Sequence, residues 1–173
     1  YLLFFGRIHP DKGAAAAIEV ARRTGRRLIL AGIVQDRDYY ARQVAPHIDN
    51  DQIRYIGSVG ARARDALLGG AAALLHLIDF DEPFGLSMVE AMACGTPVIA
   101  YRRGSVPELI RHGETGYIVD DVDAAVAAVA NLAVFDPEHI RAHVAARFSR
   151  DRMVDQYLQV YQTLVAKRAF VRV

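Results

Sequence analysis

Residues 74–100 read LLHLIDFDEPFGLSMVEAMACGTPVIA. The stretch begins as an apolar strand, breaks over Asp79–Pro83 and passes through Phe84-Gly85-Leu86 into a short helix. It stops at Gly95 and leaves as a second strand from Pro97 to Ala100. Strand, short helix and strand in succession form a βαβ unit, whose two strands run parallel. The helix, expected over Ser87–Cys94, is apolar on nearly every side, through Met88, Val89, Ala91, Met92, Ala93 and Cys94. It is therefore expected to sit inside the domain with no wet face. Glu90 is the only charge on it, and a buried carboxylate is costly unless paired or hydrogen-bonded. Glu82 stands eight residues earlier, in the loop after the strand. Two glutamates bracketing a glycine-containing helix start are the feature a function must explain.

Outward from this unit the same alternation continues. Apolar runs predict strands at Tyr1–Phe5, Leu28–Ala31, Ile53–Ile56, Ala72–Leu77, Pro97–Ala100 and Tyr117–Val119. Between them, helices are expected at Ala14–Thr24 before Gly25, at Asp36–Ala45 before Pro46, and at Arg62–Leu68 before Gly69-Gly70. One helical turn is expected within Ser105–Arg111, where Pro107 suits an early helical position. Helices follow over Val122–Ala133, Pro137–Arg147 and from Ser149 onward. Ser149 reads as the N-cap of the last, with Phe148 and Met153 as a hydrophobic staple. Its apolar stripe is Met153, Val154, Tyr157, Leu158, Tyr161, Leu164 and Val165. The stripe is expected to be a packing face, with part of the helix (about 149–168) docking on a missing domain. The fold class is α/β, a three-layer, doubly wound parallel sheet of Rossmann-like type.

A chain of 173 residues suits one domain, 1–173, long enough to bury a sizeable core. Apolar residues at 53% and charged residues at 24% are ordinary for a soluble globular protein. A net charge of +1 argues against bulk electrostatic binding to nucleic acid or to a membrane. The single cysteine excludes an internal disulfide and fits a reducing compartment, so a cytoplasmic location is expected. No apolar stretch approaches the ~18 residues that span a bilayer, and no signal-peptide pattern is present. The chain opens directly on an apolar strand without an initiator methionine, which suggests a piece of a larger protein. No repeat, low-complexity segment or linker stands out.

In a doubly wound sheet, ligands bind beyond the carboxyl ends of the strands. Arg7, Lys12, Ser58, Glu82 and Gly85 all follow strand ends, so they are expected to converge on one edge. Gly85 removes a side chain where the backbone must approach a ligand. The helix it opens presents free N–H groups and the positive end of its dipole. Arg7 and Lys12 add two cations, one able to grip phosphate oxygens in a bidentate manner, the other a point charge. Two cations and a helix N-terminus suit a diphosphate, although either cation alone reads more readily as solvated surface. Glu82 and Glu90 would accept hydrogen bonds from paired hydroxyls, which sugars and ribose supply. The bland alternatives are a solvated loop residue for Glu82 and a buried ion pair for Glu90, with Arg7 as the candidate partner. Paired acids also suggest a glycosidase, but two acids flanked by Arg and Lys fit an anionic nucleotide better than a neutral glycan.

Other signals carry less. His139 and His143 have a helical spacing that can hold a metal, yet no third ligand is in view. Cys94 is expected in the core. Gly57 and Gly60 do not make a dinucleotide fingerprint, and no Walker sequence occurs. Arg22-Arg23, Arg26-Arg27 and Arg102-Arg103 read as solvated faces rather than a nucleic-acid patch.

Glu82-Pro-Phe-Gly-Leu-Ser-Met-Val-Glu90, followed by Ala-Met-Ala-Cys-Gly-Thr-Pro-Val, resembles the Glu-x7-Glu signature of retaining GT-B glycosyltransferases, specifically family 4. Gly6-Arg7 with Lys12-Gly13 resembles that family's basic loop, and Tyr55-Ile56-Gly57-Ser58-Val59 its nucleotide-base loop. Pro107-Glu108-Leu109-Ile110, with Gly113 and Gly116-Tyr117, resembles the segment after the fifth strand. Gly104-Ser105 departs from a pair of glycines common there, and His76 stands where the family usually has a small or polar residue, which favours a structural role for it. The resemblance covers roughly residues 1–165 and implies the C-terminal, donor-binding half of a GT-B fold. It implies that Arg7 and Lys12 bind the donor diphosphate and stabilise the leaving group, and that Glu82 contacts the transferred sugar. By the same resemblance the Phe84, Gly85, Leu86 and Ser87 segment contacts sugar and phosphate, Glu90 binds ribose hydroxyls, and Ser58 and Val59 frame the base. It implies a nucleoside-diphosphate sugar as donor, no metal or other cofactor, and a missing N-terminal acceptor-binding domain as partner. Nucleic acid is not expected as a partner, and peripheral membrane contact is expected only through that missing domain. Two alternatives stay open. One is a non-catalytic nucleotide-sugar-binding subunit serving a separate chain. The other is a related GT-B epimerase or phosphorylase, for which the acid/base groups or the cofactor-lysine motif are not found.

Overall fold

Apolar runs with no polar alternation must be covered on both faces, and in the computed structural model, which describes residues 1–170, they become one six-stranded sheet. The strands are β1 (Leu2–Phe5), β2 (Leu28–Ala31), β3 (Ile53–Tyr55), β4 (Ala73–His76), β5 (Val98–Tyr101) and β6 (Gly116–Val119). All neighbours pair in parallel, in the order β3-β2-β1-β4-β5-β6. Parallel pairing needs crossovers, which carry α1 (Ala14–Thr24), α2 (Arg37–Tyr39), α3 (Ala61–Gly69), α4 (Leu86–Ala93) and α5 (Val106–Leu109). After β6 come α6 (Val122–Ala130), α7 (Pro137–Phe148) and α8 (Arg150–Phe170).

Alternate strand residues reach opposite faces, so each face has its own core. Leu2, Phe4, Leu28, Leu30, Leu75 and Ile99 pack with Ala17 and Ala21 of α1 and with Ala125 and Val129 of α6. Leu3, Leu74, Val98 and Ala100 pack instead with Leu68 of α3, with Met88, Ala91 and Met92 of α4, and with Ile140 and Val144 of α7. Three layers result, as the alternation of elements predicts. The chain runs outward from β1 to β3 and then returns to place β4 on the other side of β1. That reversal opens a crevice above the carboxyl ends of β1 and β4.

Four expectations about local structure need correction. The predicted helix over Asp36–Ala45 is a short α2 that widens into a π-helical turn, Tyr40–Val44, and then a 3-10 turn, Ala45–His47. Pro46 accounts for this, because it lacks an N–H and its ring crowds the preceding turn. The helix expected to run to Ala133 ends at Ala130, where the Asn131 side chain donates to the Ala127 carbonyl at 3.1 Å, and a 3-10 turn, Leu132–Val134, follows. α4 does have a wet face: Met88, Ala91 and Met92 are buried, but Leu86 is 67% exposed and Ala93 is exposed. Cys94 at its end is half-buried rather than in the core, although burial still pushes its thiol pKa up.

The last helix, α8, stands apart from both cores. Ser149 caps it, its Oγ accepting from the Arg152 amide at 3.3 Å. Its stripe, however, is not a packing face within the described residues. Met153, Val154, Tyr157, Leu158, Tyr161, Leu164 and Val165 are 45% to 70% exposed, and neither core includes them. Among the described residues, no helix is long and apolar enough to cross a membrane.

Candidate functional site

Two loops build the crevice, one after β1 and one after β4. In the first, Ile8 is fully buried and exchanges backbone bonds with Ile33, Gln35 and Asp36 of the next crossover. It leaves Arg7 exposed on one side and leads into a 3-10 turn, Pro10–Lys12, on the other. The Asp79 amide donates to the Asp11 carbonyl at 2.9 Å, which ties this turn to the loop after β4. Lys12 is thereby held over that second loop. Its Nζ lies 4.2 Å from the centre of the Phe80 ring and 3.0 Å from Glu82 Oε2.

The second loop is held from the far side by the connection between β5 and α5. The Gly104 amide donates to Asp81 Oδ1 at 3.1 Å and the Ser105 amide to the Glu82 carbonyl at 2.9 Å. Ser105 Oγ donates to the Phe84 carbonyl at 2.7 Å. Gly104 has φ +48°, and a Cβ there would run into the Glu82 backbone, so the close approach requires glycine. Ser105, which breaks the resemblance's glycine pair, contributes two of the bonds that fix the loop.

Gly85 opens α4 at φ +85° with no side-chain cap on the helix. A Cβ there would meet the Met88 side chain, inside the protein. The glycine is therefore required by backbone conformation and internal crowding, not only by approach of a ligand as its position suggested. The uncapped helix end still presents amides and a positive dipole to the crevice.

All ten residues singled out from the sequence line one cleft of about 580 Å³: Arg7, Lys12, Ser58, Val59, Glu82, Phe84, Gly85, Leu86, Ser87 and Glu90. A larger hollow, about 850 Å³, lies on the other side of the Pro10–Gly13 turn and contains none of them. Arginines along it are paired: Arg23 with Asp123 at 2.7 Å, Arg103 with Asp79 at 3.0 Å and Arg102 with Asp120 at 3.6 Å. The smaller cleft combines an uncapped helix end, cations and hydroxyl acceptors, so it is the better anion site.

Within it the charges are arranged differently from expectation. Arg7 is not the partner of Glu90, since its Nη1 donates to Gln35 Oε1 at 2.6 Å. Glu90 is instead bonded by Arg64 of α3, Nη1 to Oε1 at 2.8 Å, and its side chain is 31% exposed rather than buried. Glu82 is not a free loop residue either, because Lys12 neutralises it, with the two side chains only 18% and 16% exposed. Arg64, Phe80 and Ser105 are the participants that the sequence did not single out. Arg64 sits in the first turn of α3, close to Arg62 in sequence.

His76 closes the floor of the cleft at the end of β4. It is 7% exposed, and its Nε2 has no hydrogen-bond partner. Burial pushes its pKa down to about 4, against a smaller upward pull from Glu82 and with a further push from Lys12. It is a neutral imidazole at pH 7. His143, in contrast, shares a bond with the Leu109 carbonyl at 3.1 Å. The described residues contain no cluster of three or more His, Cys, Asp or Glu placed to hold a metal ion.

Known proteins match this geometry and sequence. Residues 1–144 match the family model described as glycosyl transferases group 1. Over 161 residues the chain is 34% identical to a glycogen synthase of Mycobacterium tuberculosis, covering 90% of this chain and 38% of that one. AviGT4, a glycosyltransferase involved in avilamycin A biosynthesis, superposes with a TM-score of 0.82 at 28% identity, over 95% of this chain and 51% of its own. Anabaena Alr3699/HepE, solved in complex with UDP and glucose, superposes with a TM-score of 0.80 at 23% identity over 95% and 48%, a likeness of fold. The chain thus spans 38% to 51% of the length of these proteins. Its sheet is that of the Rossmann-like GT-B transferases, and the chain belongs to the glycosyl transferases, group 1.

Proposed function

We propose that this chain is the C-terminal, donor-binding half of a retaining family 4 glycosyltransferase, and that the 580 Å³ cleft takes a nucleoside-diphosphate sugar. The observation that carries the reading is the shared cleft itself: ten residues picked from separate loops meet where α4 presents its uncapped N-terminus. The diphosphate sits at that helix end, with Arg7 and Lys12 as its cations. Negative charge grows on the departing diphosphate as the sugar–oxygen bond breaks, which is where preorganised N–H groups and cations lower the barrier most. Glu82 receives a hydroxyl of the transferred sugar, and Glu90 the ribose. The backbone of Phe84, Gly85, Leu86 and Ser87 follows sugar and phosphate, while Ser58 and Val59 frame the base. The cations and the helix end meet the electrostatic need, so the reading calls for no metal.

The sugar passes to an acceptor held by an N-terminal domain, with anomeric configuration retained. The exposed face of α8 is the surface that this domain would cover, and any membrane contact would come through it. A cytoplasmic setting belongs to the same proposal, supported by Cys94 as the sole cysteine.

A thermal-shift panel of UDP, GDP, ADP and their sugars tests the reading, with UDP first because HepE was solved with it. A ligand at 100 times its Kd stabilises by about 2.7 kcal/mol. At least one nucleoside diphosphate should raise the Tm, and Lys12→Ala and Glu90→Ala should each reduce the rise. A folded chain whose Tm responds to none of them at millimolar concentration would overturn the proposal.

A further inference from the structure

Glu90 does not stand alone in the cleft wall. Arg64 Nη1 donates to Glu90 Oε1 at 2.8 Å, and Arg64 Nε donates to Asp65 Oδ1 at 3.2 Å. One guanidinium thus bridges two carboxylates. Glu90 lines the cleft and Arg64 does not, so the arginine stands behind the glutamate rather than in the ligand's path. The helix that carries Arg64 begins at Ala61, directly after the Ser58-Val59 loop. Base loop and glutamate are therefore parts of one wall, backed by the arginine. A pair exposed by about a third contributes little to folding, so stability does not account for it well.

We infer that Arg64 is a positioning residue for ribose recognition: it holds the Glu90 carboxylate by Oε1, leaving Oε2 for the ligand's hydroxyls. The inference rests on the reading of Glu90 as the ribose acceptor. Among the described residues Oε2 has no protein partner. Without Arg64 the Glu90 side chain would have several rotamers to choose from at the half-open edge of α4. It would then have to be ordered by the nucleotide itself, and the hydroxyl would lose its preset acceptor. Arg64 also offsets the charge of Glu90, which otherwise repels an incoming diphosphate.

The test separates ribose recognition from general charge. Of UDP, ADP and GDP, the nucleotide that stabilises the chain most is titrated calorimetrically beside its 2′-deoxy form. Wild type should prefer the ribose form by about tenfold, as befits a hydrogen bond to a charged group. Glu90→Gln should reduce that ratio to below about threefold. Arg64→Ala should reduce it to the same level, and Arg64→Lys, which keeps a cation opposite Glu90, should retain most of it. The inference is overturned if Arg64→Ala weakens both nucleotides by one common factor, leaves the ratio at the wild-type value, or is matched by Arg64→Lys. If Glu90→Gln leaves the ratio unchanged, the ribose role of Glu90 falls and this inference with it. If Glu90→Gln collapses the ratio and Arg64→Ala does not, only the role of Arg64 falls.

Discussion

Replacing His76 with leucine should remove an acid-sensitive step from the stability of this chain. The imidazole is 7% exposed at the end of β4, its Nε2 is unpartnered, and burial holds its pKa at about 4, well below the ordinary 6.5 of a histidine. The folded pKa lies below the unfolded one, so on acidification the unfolded chain takes the proton first. The stability that neutral His76 preserves is therefore complete above about pH 6.5 and is lost progressively down to about pH 4. The interval is about 2.5 pH units, and at about 1.4 kcal/mol per unit the loss is roughly 3 kcal/mol. Domains of this size are stable by about 5–15 kcal/mol, so the effect is easily measured. Urea unfolding at pH 7.5, 6.0, 5.0 and 4.5 would be compared for wild type and His76→Leu. Other groups titrate in both proteins, and their difference isolates His76. The variant should be at least as stable at pH 7.5, since it deletes an unsatisfied polar atom worth about 1–3 kcal/mol. Its advantage should then grow by roughly 3 kcal/mol toward pH 4. Parallel losses in the two proteins would refute the depressed pKa of His76.

Two further perturbations address the backbone and the surface. Gly85→Ala places a Cβ at φ +85° beside the Met88 terminal methyl, and should destabilise the chain by about 1–2 kcal/mol in urea unfolding; if Gly85→Ala costs as much in a Met88→Ala background as in the wild type, the cost comes from the backbone and not from Met88. Tyr157→Glu with Leu164→Glu on α8 should change the stability of this chain by no more than about 0.5 kcal/mol, since both side chains are over half exposed; a loss of several kcal/mol would mean that the stripe packs on this domain after all.

Much of the fold is legible in residues 74–100 because a buried parallel sheet leaves a strong trace. β4 and β5 are apolar on both faces, and the glycines at 85 and 95 punctuate the helix between them. The cleft is legible for a related reason. In a doubly wound sheet every loop after a strand leads to the same edge, so Arg7, Lys12, Ser58 and Glu82 could be brought together without knowing a distance. What the sequence hid are the contacts between loops. Nothing local distinguishes Arg64 from Arg62, yet the turn of α3 sends only one of them to Glu90. The apolar look of Ser87–Cys94 misled because composition does not say which side of a helix meets the sheet. The stripe of α8 finds no cover among the described residues, and periodicity shows that a face wants cover but not where the cover comes from.

The two ion pairs of the cleft also change how its glutamates are to be understood. Lys12 and Glu82 satisfy each other at 3.0 Å, while Arg64 satisfies Glu90 at 2.8 Å from behind. These pairs are not equivalent. On the proposed reading, Arg64 keeps its bond while a ribose hydroxyl uses the other oxygen of Glu90. Lys12 cannot turn fully to a diphosphate without loosening Glu82, whose side chain is only 16% exposed and would be left poorly solvated. A sugar hydroxyl delivered on the same donor would supply the lost partner. On the proposed reading, the wall near the base is preset, and the wall near the reacting carbon is held by a contact that a complete nucleotide sugar would replace on both sides.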